Sequence, residues 1–111
     1  MEARQATLNF YRCNQKPWQT VEDYAEELKA LWRQMRNVLK EQERGFAWLE
    51  DALGKHHELV PRYIDGLEDD EYKRKMWDWY HRSERKSGRH PRFEAAVHQA
   101  AVIQIVDMVM S

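Results

Sequence analysis

From Val21 to Leu39 the apolar side chains fall at Val21, Tyr24, Ala25, Leu28, Leu31, Trp32, Met35, Val38 and Leu39. This three-and-four spacing, kept for about five turns, predicts an amphipathic helix. Thr20 is placed to cap its first amides, with Asp23 three residues on. Glu22, Asp23, Glu26 and Glu27 lie early and Arg33, Arg36 and Lys40 late, so the charge order agrees with the helix dipole. Upstream, Leu8, Phe10 and Tyr11 form an apolar lead-in, read as a short helix that ends by Pro17. Downstream, Phe46, Trp48, Leu49 and Leu53, bracketed by Gly45 and Gly54, predict a helix of about two turns.

The next apolar set is Leu59, Val60, Tyr63, Ile64 and Leu67. Pro61 is tolerable there only in a first helical turn, and Gly66 is suited to the helix end. Asp69 or Asp70 is expected to cap the following helix, in which Tyr72, Met76, Trp79 and Tyr80 lie within about a quarter of the circumference. Trp77 lies roughly 140° from Tyr72, which points it to solvent, to an interface, or under the Gly45 to Gly54 helix. The polar stretch from His81 to Arg92 reads as a basic loop carrying Arg82, Arg85, Lys86, Arg89 and Arg92.

Pro91 opens the last helix, which first shows one apolar face (Phe93, Ala96, Val97, Ala100) opposite Glu94, His98 and Gln99. From Val102 it is apolar almost all round, through Ile103, Ile105, Val106, Met108, Val109 and Met110. A helix apolar on every side must be covered on every side, and a terminal helix of a small domain has few internal partners. Val102, Ile105, Val106 and Val109, opposite Phe93, are therefore expected in a contact between copies; the competing expectation is burial near Leu8 and Phe10. Together these elements define an all-α fold, a compact bundle of four to six helices. Residues 1–111 form a single domain, with a lead-in segment and turn over 1–18 and the bundle over 19–111.

Composition narrows the functions. At 111 residues the chain can bury roughly two thirds of its unfolded surface in one core. Eighteen basic and nineteen acidic residues leave a net charge of -1, so any contact with nucleic acid or an anionic membrane has to come from a local patch. The five tryptophans supply large buried areas or interface anchors. One cysteine, Cys13, rules out an internal disulfide and a cysteine-rich zinc site, and suits a reducing compartment. Met1 to Leu8 lack the apolar core of a signal peptide, and no stretch is long enough to span a bilayer. An intracellular, cytoplasmic location is expected.

The candidate chemistry is sparse. The five histidines show no paired i and i+4 ligands, and the acidic run Glu68 to Glu71 lacks the alternating ligands of a calcium loop. Neither a metal nor a cofactor is expected. No serine, cysteine or lysine sits in a nucleophile motif and no glycine-rich loop cradles phosphate, so no catalytic residue is assigned and an enzyme is not expected. Arg82, Arg85, Lys86, Arg89 and Arg92 could touch RNA or another polyanion weakly.

The segment QKPWQTVEDYAEEL, Gln15 to Leu28, resembles the major homology region of retroviral capsid proteins and its counterpart in Ty3/gypsy-type Gag: Gln15, Pro17, Val21, Asp23, Tyr24 and Leu28 sit at the matching offsets. Lys16 stands where a Gly is usual, Gln19 where a Glu is usual, and Glu27 where many members have Arg. The polar network of that region is thus not expected to carry over unchanged. Tyr63, Ile64, Gly66 and Leu67 are similar to that family's aromatic, apolar, Gly-Leu helix end, and FEAAVHQAAVI, Phe93 to Ile103, to its closing alanine-rich helix.

The resemblance implies the carboxy-terminal lobe of a Gag capsid: a non-enzymatic module that self-associates into dimers or a lattice, in a virus-like particle or as a domesticated copy. The zinc knuckle that packages RNA in Gag is missing from this chain. Two rivals stand beside this reading. One is an adaptor that holds a partner peptide in an apolar groove; the other is a SCAN-like dimerisation module of a transcription regulator, whose motifs are not found here.

Overall fold

The computed structural model describes residues 2–42 and 59–110. Among the described residues there are five helices and no strand: α1 (Ala3–Tyr11), α2 (Val21–Gln42), α3 (Leu59–Asp65), α4 (Asp70–Ser87) and α5 (Phe93–Met110). The expected helix between Gly45 and Gly54 lies outside the described residues.

Each helix forms where an apolar stripe meets a capping signal. In α2, Val21, Tyr24, Ala25, Leu28, Trp32 and Met35 are buried, with Leu31, Val38 and Leu39 packed at the edge. The Thr20 hydroxyl accepts from the Asp23 amide at 3.0 Å, as its position before the stripe predicts. The lead-in is helical from Ala3; its buried stripe is Ala6 and Phe10, one turn apart, whereas Tyr11 is exposed. In α3, Leu59, Val60, Tyr63 and Ile64 are all buried. Asp69 caps α4 by accepting from the amides of Glu71 and Tyr72 at 2.8 and 3.1 Å.

The core is one cluster to which all five helices contribute. α1 lies along α2, α4 and α5 pack together, and α3 touches α2, α4 and α5. At the centre the rings of Tyr24 and Tyr63 stack with centroids 5.0 Å apart, and Phe93 meets Tyr63 edge-on at 5.4 Å, which joins α2, α3 and α5. α5 returns antiparallel along α4: Tyr80 reaches His90, three residues before α5 begins, and Tyr72 donates to the Asp107 carboxylate near its end at 3.3 Å.

One expectation is corrected and two gain detail. The stretch from His81 to Arg92 is not all loop, because α4 continues through Ser87 and carries Arg82, Arg85 and Lys86; only Arg89 and Arg92 lie beyond it. Arg, Lys and Glu sustain a helix without an apolar stripe, and the helix stops at Gly88, whose left-handed φ of 68° lets its backbone N–H donate a hydrogen bond to the Glu84 carbonyl and close the last turn. Gly66 stands at the end of α3, as expected, its amide donating to the Arg62 carbonyl at 3.1 Å; it serves space there and not a left-handed conformation, since among the described residues Gly88 is the one with positive φ. A Cβ at Gly66 would collide with the Tyr24 hydroxyl and sit 3.1 Å from the Cys13 carbonyl oxygen. Trp77, for which solvent, an interface and packing under the Gly45 to Gly54 helix are the expectations, is half-buried against the core, edge-on to Tyr80 and stacked on His81, while that helix lies outside the described residues. The buried side of α4 is thus wider than the stripe of Met76 and Tyr80 alone.

Candidate assembly surface and its supporting turn

The candidate site residues occupy three places: the turn between α1 and α2 with the first turns of α2, the outer face of α5, and the second half of α4 with the segment that follows it.

In the turn, Gln15 works as a staple. Its amide donates to the Gly66 carbonyl at 2.7 Å, its side-chain oxygen accepts from the Glu68 amide at 3.1 Å, and its side-chain nitrogen donates to the Gln19 carbonyl at 2.8 Å. Backbone groups that the turn leaves free thus find partners across the junction with α3. Arg62 supports it from the other side, donating to the Cys13 carbonyl and the Asn14 side chain, both at 2.7 Å. Val21, Tyr24 and Leu28 of the same motif are fully buried, while Pro17 and Asp23 are exposed.

The three residues that depart from the Gag pattern bond to one another. Lys16 pairs with the Glu27 carboxylate at 2.9 Å, Gln19 donates to it at 2.6 Å, and the Gln19 side-chain oxygen accepts from the Lys16 amide at 3.2 Å. Hydrogen bonds from Gln19, then from Lys16, hold the Glu27 carboxyl below the usual carboxylate range. Burial, then the nearby Glu27 charge, pushes the Cys13 thiol up. Because the folded carboxyl binds its proton less readily than the unfolded one, this contribution is present above the unfolded value of about 4.3 and is lost as pH falls through the folded value. Glu27 is partly open to solvent, so Glu27→Gln is expected to cost about 1 kcal/mol or less at neutral pH. It should also flatten the fall in stability below about pH 5 in denaturant titrations, and an unchanged acid limb would deny the pairing any weight.

On α5, Phe93, Ala96 and Ala100 are buried and Val97, Ala101 and Ile103 are packed against the core. The opposite face is bare. Val102, Ile105, Val106 and Val109 are 38%, 60%, 53% and 77% exposed, and Met108 is 71% exposed. Burial near Leu8 and Phe10 does not occur for these residues. Trp18, at 81%, is the most exposed large apolar side chain of the described residues and was not singled out from the sequence. Its position between two apolar stripes, belonging to neither, was the available signal. Arg82, Arg85, Lys86, Arg89 and Arg92 are all exposed.

No helix of the described residues is long and apolar enough to cross a membrane. No family model, no curated protein and no solved structure matches the chain.

Proposed function

We propose that this chain is a non-enzymatic assembly module of the Gag-capsid kind, which self-associates through the outer face of α5. The observation that carries the reading is that face: Val102, Ile105, Val106 and Val109 follow the i, i+3, i+4, i+7 rule of one helical stripe and are left in water. A contiguous exposed row of branched side chains marks a contact site, and covering it on a second copy yields on the order of 1 kcal/mol for each side chain. Such contacts are individually weak and become effective when repeated in a symmetric assembly. The QKPWQTVEDYAEEL segment supports the same reading, since Gln15, Val21 and Tyr24 at the capsid-like offsets bond across the junction that fixes α2 on α3.

Sedimentation velocity over a wide concentration range tests it. The protein is expected to associate as concentration rises, and Val106→Asp is expected to weaken that association about tenfold or more by placing a charge in an apolar contact. Helical content should be retained, because Val106 is more than half exposed and lies outside the buried core. Trp77 is the poorer probe, being packed against its own core. A monomer at every concentration would move the reading to the peptide-binding adaptor, and a dimer that never grows would move it to a SCAN-like dimerisation module.

A further inference from the structure

The charges of this chain are segregated. Residues 82–92 hold five basic side chains against the single acidic Glu84, which leaves thirteen basic against eighteen acidic in the rest. Arg82, Arg85 and Lys86 lie within about a third of a turn on the exposed side of α4, and Arg89 continues their line past the cap. Among the described residues, Arg85, Lys86, Arg89 and Arg92 make no ion pair, and Glu84 is taken up by His90 at 2.8 Å.

A complementary surface lies between α2 and the beginning of α5. A groove of about 250 Å³ is floored by Ala25, Phe93 and Val97 and rimmed by Glu22, Glu26 and Glu94. Lys29 spans its edge, 3.9 Å from Glu94, whereas Glu22 and Glu26 have no ion-pair partner among the described residues. An apolar floor with carboxylates on the rim fits an arginine: the three methylenes lie along the floor and the planar guanidinium meets the rim carboxylates with paired donors.

We propose that this groove receives the basic stripe of a second copy, Arg82 and Arg85 in the lead, as a second and ionic assembly contact distinct from the apolar face of α5. The proposal rests on the assembly reading and adds to it what one face cannot supply. A single self-complementary face stops at a dimer, whereas two different contact surfaces on each copy permit growth. The two contacts also answer salt differently, because screening weakens an ionic contact and leaves an apolar one in place.

The test uses the full chain with paired charge reversals, Arg82→Glu with Arg85→Glu on the stripe and Glu22→Lys with Glu26→Lys on the rim. Each double variant alone is expected to associate about tenfold more weakly than the unaltered protein at low salt, with the difference vanishing near 0.5 M salt. An equimolar mixture of the two variants should recover the association, since the reversed stripe meets the reversed rim, and a folding defect would not be cured by mixing. The proposal is overturned if the mixture fails to recover association, or if both variants associate like the unaltered protein while Val106→Asp alone dissociates it; the latter result would leave the α5 contact standing. A fluorescent single-stranded oligouridine serves as the further probe. Loss of its binding by the stripe variant, with self-association unchanged, would assign the stripe to RNA and also overturn the proposal.

Discussion

Gly66→Ala is expected to destabilise the fold by about 3 kcal/mol, a large share of what a domain of this size possesses. The loss comes from one added methyl at a tightly packed junction. The new carbon would collide with the Tyr24 hydroxyl and sit 3.1 Å from the Cys13 carbonyl, and neither has room to withdraw. Tyr24 is fully buried, stacked on Tyr63 and donating to the Tyr63 carbonyl at 3.0 Å; the Cys13 carbonyl is held by Arg62. Gly88→Ala is the control. It meets no atom within 4 Å and carries only the cost of a left-handed residue, about 1 kcal/mol. Chemical denaturation of the two variants separates close approach from conformation: a Gly66 variant no less stable than the Gly88 variant would show that the junction opens freely. Made in a Tyr24→Phe background, Gly66→Ala should cost less, because the atom it strikes first is gone.

That junction also shows what a sequence discloses and what it withholds. The α2 stripe from Val21 to Met35 was legible because burial on one side of a helix imposes a period, and Thr20 and Asp69 because a capping oxygen has to precede the first turn. The bare face of α5 was legible for the same reason in reverse, since no single stripe accounts for Val102 to Val109. The end of α4 was not. Arg82 to Ser87 bury almost nothing, so their helix rests on propensity and on Gly88, and a run of basic residues beside Ser and Gly reads equally as loop. The reason for Gly66 was hidden because Tyr24 lies forty-two positions earlier in the chain, and the space they share exists only once α2 and α3 cross. The Lys16, Gln19 and Glu27 set shows the same limit. Each departs singly from the capsid-like pattern, and only their proximity shows that they form a network of their own.

At the other pH extreme, stability is expected to fall by about 2.7 kcal/mol per pH unit above about pH 10, roughly 1.4 for each of two tyrosines. Tyr24 and Tyr63 have no exposed surface. Their hydroxyls donate at 3.0 Å to the Tyr63 and Val21 carbonyls, acceptors that a phenolate would repel. Burial, above all, pushes both hydroxyls far above the ordinary tyrosine value of about 10. The sign follows directly: the folded form keeps protons that the unfolded chain has released, so the stability is intact below about pH 10 and is lost as pH rises toward the folded values. Tyr72 and Tyr80 shift in the same direction and steepen the fall. Denaturant midpoints from pH 8 to pH 11, followed by far-ultraviolet circular dichroism, give the slope, and phenolate absorbance should rise together with unfolding. Tyr63→Phe is expected to lower the starting stability by about 1 kcal/mol, because the Val21 carbonyl loses its donor. It should also remove about half of the alkaline slope. Tyr72 and Tyr80 leave a shallower slope in the double variant Tyr24→Phe with Tyr63→Phe; a slope undiminished by that pair of changes would mean that the two hydroxyls ionise inside the folded protein, and that the stacked pair joining α2 to α3 is open to water.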